Sequence, residues 1–208
     1  MIEVYLDEQA YAIDGDHTLT VAGVLERVRT AARSADRLVT SVACQGQELS
    51  ADELTEMSQR RVADCGRLDL MTRPTRDVVC EVFDSAIAVF EATTEPSRQA
   101  VDLLAQGQTV RALETLAGSF QSWQSAQDAV IGALKLSDLK LEELGALGER
   151  VESSVTAFRD RLQQVRQSLH SRDFVLLGDL LHYELPGSLT EWQAAIAGLR
   201  DLVGRAEA

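Results

Sequence analysis

The sequence has 208 residues, enough for one large domain or two small ones with a buried core. Its 33 acidic and 20 basic residues give a formal net charge of −13, which disfavours binding to nucleic acids and anionic membranes because phosphate groups repel such a surface. Only 3 prolines and 13 glycines argue against a disordered or collagen-like chain, and an aromatic content of 5% favours helices packed through aliphatic side chains.

The amino terminus and the cysteines bear on the compartment. Residues 1–7 contain neither a basic start nor an apolar run, and no stretch of about 18 apolar residues occurs anywhere. The three cysteines are an odd number without CxxC spacing, which argues against disulfide scaffolding and zinc ribbons. Lysine occurs only at Lys135 and Lys140, as is typical of a GC-rich genome. We therefore predict a bacterial, cytoplasmic protein with reduced thiols.

The first third of the chain alternates apolar and polar residues, a pattern typical of half-buried strands. A helical period interrupts it from Val21, with Thr20 as the predicted N-cap, and Ser50 and Glu53 are spaced as a capping box. In chain order we predict a strand with Ile2, Val4 and Leu6 on one face, a polar turn at residues 7–9, a second strand at 11–13, the helix from Val21, a strand at 38–44, a turn at 45–46, a short strand at 48–49, a short helix at 50–57 and a last strand at 66–72.

This order of elements resembles the ubiquitin-like β-grasp fold over roughly residues 1–75. The family includes protein modifiers, sulfur carriers, ferredoxins and recognition platforms. A modifier or sulfur carrier needs a free Gly-Gly terminus, whereas the last strand here continues into Pro74 and about 130 further residues. A plant-type ferredoxin needs four closely spaced cysteine ligands, which Cys44 and Cys65 do not supply. The resemblance therefore implies a platform whose sheet face or edge binds another protein.

From Arg76 onward the apolar residues recur with a helical period. Polar turns at residues 106–109, 137–138 and 171–173 divide this part into four segments of roughly 30 residues, and Pro96 either kinks the first segment or caps a new helix there. Short turns imply antiparallel neighbours. We predict an α+β protein with a β-grasp domain at residues 1–75 and an elongated antiparallel four-helix bundle at residues 76–208. The predicted inward faces contain Val79, Phe83, Ala86, Phe90, Val101, Leu104, Val110, Leu113, Leu116, Phe120, Trp123, Val130, Leu134, Leu144, Leu147, Val151, Phe158, Leu162, Val165, Leu169, Phe174, Leu177, Leu181, Leu185, Leu189, Trp192, Ile196, Leu199 and Val203.

An internal similarity runs through the helical part. Val110 and Val175 each follow a polar turn, and each is followed by a lone tryptophan, Trp123 or Trp192. A duplicated helical hairpin would produce this pattern, and so would coincidence between two amphipathic helices. The tryptophans lie on apolar faces, which favours core packing over a role as interface anchors.

Reactive constellations are scarce. No P-loop, GxGxxG, GxSxG or HExxH motif occurs. Asp179 and His182, close to Glu184, resemble half of a carboxylate-bridged di-iron site, but that site needs a second Glu-x-x-His pair, and His170 is preceded at this spacing by Gln167. Cys65 has no histidine near it in sequence that would form its thiolate. We therefore predict no catalytic, cofactor-binding or metal-ligating residues.

The segment around Pro186 is the candidate functional surface. It mixes apolar, titratable and helix-disrupting residues, and Pro186 removes a backbone hydrogen bond and bends the helix. Either this bend fits the helix to its neighbour or it forms a groove for a partner. The candidate groove residues are His182, Tyr183, Glu184, Pro186 and Trp192.

Two hypotheses about function follow. The first is a non-enzymatic adaptor or scaffold, in which the β-grasp domain binds one protein and the bundle binds another or forms a homodimer. Within this class, the bundle is similar in length and helicity to bacterial flagellar export chaperones, which hold a secreted subunit along a helical groove. The alternative is an enzyme, metal binder or small-ligand binder whose site lies between the two domains, with Asp179, His182 and Glu184 as candidate acids.

Overall fold

The computed structural model describes residues 3–13 and 19–205 of the chain. It confirms a mixed α+β class, with a five-stranded sheet followed by helices. The chain divides into two compact units, Met1–Val78 and Val79–Ala208, which we call the sheet unit and the helical unit.

Five strands and three helices form the sheet unit within the described residues. They are β1 (Glu3–Leu6), β2 (Gln9–Ala10), α1 (Val21–Ser34), β3 (Arg37–Cys44), β4 (Gln47–Glu48), α2 (Ala51–Met57), α3 (Val62–Cys65) and β5 (Arg67–Pro74). The strand order is β2-β1-β5-β3-β4, with β1 parallel to β5 and the other pairs antiparallel. The core contains side chains of α1 (Val21, Val24, Leu25 and Val28) together with side chains of the sheet (Val4, Val42, Leu68 and Leu70).

The helix caps and the tight turn that the sequence predicts for this unit are present in the structure. Thr20 accepts a hydrogen bond from the Gly23 amide, which confirms it as the N-cap of α1. Ser50 and Glu53 form the predicted capping box at the start of α2. The turn at Gln45 and Gly46 has two left-handed residues, as a two-residue hairpin turn requires.

The prediction for the first hairpin was wrong by two residues. Asp7 and Glu8 both have positive φ and form a two-residue turn, so that β2 begins at Gln9, whereas residues 11–13 lie outside the strand. The short helix α3 was not predicted. Ile2, assigned to the first strand from the sequence, lies outside the described residues.

The helical unit follows the predicted breaks. Its elements are α4 (Thr75–Ala92), which begins before the unit boundary, α5 (Thr94–Ala105), α6 (Thr109–Leu136), a 3₁₀ turn (Leu141–Glu143), α7 (Ala146–Ser171), α8 (Phe174–Asp179), a π-helical turn (Leu180–Glu184) and α9 (Leu185–Arg205). The polar turn at residues 106–109 lies between α5 and α6, where Gly107 has positive φ and Thr109 is already the first residue of α6. Pro96 lies in the first turn of α5, after a one-residue break at Thr93.

One contiguous core fills the helical unit. It contains the predicted side chains of all four segments, among them Phe83, Phe90, Trp123, Phe158 and Trp192. Within this unit α5 packs on α6, and α7 packs on α9. Val110 was predicted on an inward face, but it is 71% exposed. Among the described residues, none of the helices combines the length and apolarity that crossing a bilayer requires.

Candidate functional site

A groove of about 420 Å³ lies on the helical unit, between the carboxyl-terminal end of α5 and the segment formed by α8 and the π-helical turn. We call it the α5–α8 groove. It is lined by Val101, Leu104, Ala105, Phe174, Val175, Gly178, Asp179, His182 and Tyr183. Most of these side chains are apolar or aromatic.

Large apolar side chains are exposed along this groove. Val175 is 78% exposed and Tyr183 is 71% exposed, and both line it. Leu176, next to Val175, is also exposed. By contrast, Leu177 and Leu181 on the same segment are buried in the core. One side of this segment therefore packs inward, while another presents apolar surface to solvent.

The π-helical turn has a local cause in the sequence. Pro186 has no amide hydrogen, so the helix cannot form the usual bond from this position. Just before it, the Leu185 amide donates to the carbonyl of Leu180, five residues earlier instead of four. The wider turn also accommodates the core positions 177, 181, 185 and 189, whose spacing of four exceeds the α-helical period. His182 and Tyr183, which line the groove, lie in this wider turn.

Gly178 forms part of the groove because it has no side chain. A Cβ atom built at this position meets nothing within 4 Å. The space beside the backbone is therefore open at Cβ, and we expect a larger side chain at position 178 to occupy part of the groove that Gly178 lines. Glycine in a helix costs roughly 0.5–1 kcal/mol of stability relative to alanine, so the fold itself does not require glycine here.

The groove carries a carboxylate without a basic partner. Asp179 is exposed, and within residues 3–13 and 19–205 no arginine or lysine forms an ion pair with it. His182 also lines the groove, and its ring packs edge-to-face on Tyr183, with 4.4 Å between the ring centroids. The groove wall from α5 contributes only apolar side chains. The groove is thus apolar with one acidic group.

The residues predicted from the sequence divide among three environments. His182 and Tyr183 line the α5–α8 groove. Glu184 and Pro186 are exposed but do not line it, and Glu184 forms an ion pair with Arg161 of α7 at 2.6 Å. Trp192 is completely buried in the core, so it cannot contact a partner in the folded state. No pattern in the sequence indicates that α5 forms the second wall, because that proximity arises from tertiary packing.

The thiols and acids of the described residues bear on metal binding and on thiol chemistry. No group of three His, Cys, Asp or Glu residues there is arranged to hold a metal ion. Cys44 and Cys65 lie close together, with the Cys44 thiol donating to the Cys65 carbonyl at 3.5 Å. Burial, together with the neighbouring Cys44, raises the pKa of the Cys65 thiol, which disfavours the nucleophilic thiolate.

A second depression, of about 490 Å³, lies in the sheet unit between residues 11–13 and α1. It is lined mainly by apolar side chains and by Glu26, Arg27 and Thr30. Residues 14–18, which continue the chain from this wall, lie outside the described residues. The α5–α8 groove is the better defined of the two, because every residue from 94 to 184 is described.

Comparison with known proteins assigns the helical part to a family. A family model described as "Domain of unknown function (DUF8042)" matches residues 81–195, more than half of the chain. The chain belongs to this family. No curated protein and no solved structure matches it. The DUF8042 match begins in α4 and ends in α9, so it includes every residue of the α5–α8 groove.

Proposed function

We propose that the protein is a non-enzymatic adaptor that binds another protein in the α5–α8 groove. The observation that carries this proposal is the exposure of Val175 and Tyr183 on the wall of an apolar groove. Apolar side chains that gather at one concave site are typical of protein-binding surfaces, whereas singly scattered ones need no explanation. Aromatic residues such as Tyr183 are enriched in protein interfaces.

The lining favours a protein over a small ligand. Small-molecule sites bury most of the ligand and present several convergent polar groups. In this groove Asp179 and His182 are the only ionisable groups besides the Tyr183 phenol, and all three side chains are exposed. The alternative of an enzyme or metal site has no further support, because Glu184 pairs with Arg161 and does not line the groove with these two.

For the two units we propose the finer folds that the sequence predicts. A β-grasp domain is supported by the strand order β2-β1-β5-β3-β4 with a parallel central pair. A four-helix bundle is supported by three interruptions, which divide the helices into the segments α4–α5, α6, α7 and α8–α9. If the sheet unit also binds a partner, its face is favoured over its edges, since edge strands β2 and β4 have only two residues each.

Affinity capture with the full-length chain tests the groove. Gly178→Leu should fill the groove, because the space at this position is open. Gly118→Leu is the matched control: Gly118 is also a helical glycine with nothing within 4 Å of a built Cβ, but it does not line the groove. The wild-type chain and Gly118→Leu should recover the same protein in stoichiometric amount, and Gly178→Leu should not.

Two results would contradict the proposal. If all three chains recover the same proteins, the groove is not the binding surface. If no protein is recovered, but a metabolite or metal ion raises the melting temperature of the wild type and not of Gly178→Leu, the alternative of a small-ligand site is correct. Circular dichroism on each variant establishes that the helices are intact.

A further inference from the structure

The lining of the groove indicates the chemistry of its occupant. Resting on the proposed function, we infer that the α5–α8 groove binds an amphipathic α-helix of another protein, and that this helix carries a lysine or arginine that pairs with Asp179. The inference combines the shape of the groove with its charge.

The shape fits a helix. The lining residues of the α8 wall recur at intervals of four, in the rows 174/178/182 and 175/179/183. These rows extend over nearly ten residues, or about 14 Å at the helical rise. Two helical walls lined mainly by apolar side chains suit an amphipathic helix bound through anchors at i, i+3 or i+4, and i+7. Gly178, in the middle of one row, leaves room for one such anchor.

The charge selects a basic helix. The two walls, residues 94–105 and 174–184, contain four carboxylates and one guanidinium. Glu95 is paired with Arg98, and Glu184 is paired with Arg161. The other two carboxylates, Asp102 and Asp179, form no ion pair within the described ranges 3–13 and 19–205. Since Asp179 lines the groove itself, a cation on the occupant gains a partner there that the fold does not already use.

The same charges disfavour other occupants. A second copy of this chain would bring its own net charge of −13 and, in a symmetric contact, would set two acidic grooves against each other. Nucleic acids and anionic membranes are repelled for the same reason. A helix with acidic residues facing Asp179 would leave two like charges together, which specific interfaces avoid.

Selection from a displayed library of helix-forming peptides tests the inference. The peptides should be about four turns long, with apolar residues fixed at i, i+4 and i+7 and the intervening positions randomised. The bait is the full-length chain, in its wild-type, Gly178→Leu, Asp179→Asn and Asp179→Lys forms. Asp128→Lys is the control for net charge, because Asp128 is exposed on α6 and does not line the groove.

We expect the wild type to enrich peptides with lysine or arginine at one fixed position relative to the anchors. Asp179→Asn should weaken the binding of these peptides by about two- to fivefold, the range expected for a partly exposed ion pair. Asp179→Lys should select aspartate or glutamate at the same position, whereas Asp128→Lys should keep the wild-type preference. Raised salt should reduce the discrimination.

The outcomes separate the two proposals. Peptides that bind the wild type and are lost in Gly178→Leu, but show no basic preference and no response at Asp179, would overturn the inference and leave the proposed groove standing. If no selected peptide is lost in Gly178→Leu, the proposed function fails and the inference fails with it.

Discussion

The indole N–H of Trp123 donates a 2.7 Å hydrogen bond to the hydroxyl of Thr93, the residue that separates α4 from α5. Both side chains are buried. The Thr93 hydroxyl in turn donates to the carbonyl of Val89 at 2.9 Å, so the break in the helix and the core tryptophan are tied together. Trp192 has no such arrangement: among the described residues its buried indole N–H has no partner.

Thr93→Val tests this connection. The substitution keeps the shape but removes the acceptor, which leaves the buried Trp123 N–H unsatisfied at a cost of about 1–3 kcal/mol. The control is Thr94→Val, because Thr94 is exposed and its hydroxyl bonds only to the Phe90 carbonyl, so its effect should stay within about 0.5 kcal/mol. Urea unfolding followed by tryptophan fluorescence measures both, since both tryptophans lie in the helical unit. Equal losses would contradict the assignment.

Replacing each of the two tryptophans by phenylalanine should change the stability by different amounts. Trp123→Phe removes the indole N–H that donates a hydrogen bond to the Thr93 hydroxyl. Trp192→Phe removes an indole N–H that has no partner in the described structure. Both changes remove similar volume from the same core, so the difference between them reports on the hydrogen bond. We expect Trp123→Phe to be the more destabilising by about 1 kcal/mol. Thermal unfolding monitored by circular dichroism checks the order, and a larger loss for Trp192→Phe would be inconsistent with it.

Two glycines of the helical unit should give opposite results on conversion to alanine. A Cβ atom at Gly148, near the start of α7, would lie 1.9 Å from the carbonyl oxygen of Leu141, so backbone must move. We expect Gly148→Ala to destabilise by about 1–3 kcal/mol. At Gly178 nothing is close, and Gly178→Ala should stabilise by roughly 0.5–1 kcal/mol. Chemical denaturation of the two variants and the wild type measures both changes in the free energy of unfolding. A lower free energy of unfolding for Gly178→Ala would show that the groove is not open at this position.

Asp7 makes the sheet unit sensitive to acid. Its carboxylate accepts hydrogen bonds from the Thr72 amide at 2.7 Å and from the Thr72 hydroxyl at 2.6 Å, and the Arg37 guanidinium lies at 3.4 Å. Burial alone would raise the pKa of Asp7, but these hydrogen bonds and the charge of Arg37 lower it below its usual 3.8. The stabilisation is therefore present above the unfolded-state pKa and is lost as the pH falls through the lower folded-state pKa.

Hydrogen exchange of the Thr72 amide follows this loss directly. Its protection factor should fall in acid for the wild type. Asp7→Asn, which also tolerates the left-handed conformation at this position, should have lower protection at neutral pH and little further change in acid. A wild-type protection factor that does not change down to pH values well below 3.8 would contradict the role of the Asp7 carboxylate.

Much of the secondary structure could be predicted because its signals are local. Thr20, the Ser50–Glu53 capping box, Gly107 and the turn at Gln45–Gly46 each satisfy a backbone requirement within a few residues. The predicted position of the first hairpin was wrong because its turn places Glu8 at positive φ. Glutamate seldom adopts this conformation, so the sequence does not indicate a turn there. The prediction that Val110 faces inward was wrong, because the helical period assigns a residue to a face of the helix but does not show whether another helix covers that face.

The groove could be predicted only in part. The four-residue spacing of Leu177, Leu181, Leu185 and Leu189, together with Pro186, indicates a wide turn, although the sequence suggested only a bend. His182 and Tyr183 belong to the segment around Pro186 that the sequence singled out, and both line the groove. The wall from α5 was missed, because its residues were assigned to an inward face and their packing beside α8 depends on contacts between distant parts of the chain.

Photo-cross-linking from position 183 in the intact cell tests the central claim, that the α5–α8 groove is a protein-binding site, most directly. With a benzophenone amino acid in place of Tyr183, we predict one discrete adduct whose cross-linked peptide comes from a basic amphipathic helix. The adduct should disappear when Gly178→Leu is added and persist with Gly118→Leu. An adduct that survives Gly178→Leu, or a yield no higher than from the same probe at exposed Gln124 on α6, would contradict the claim.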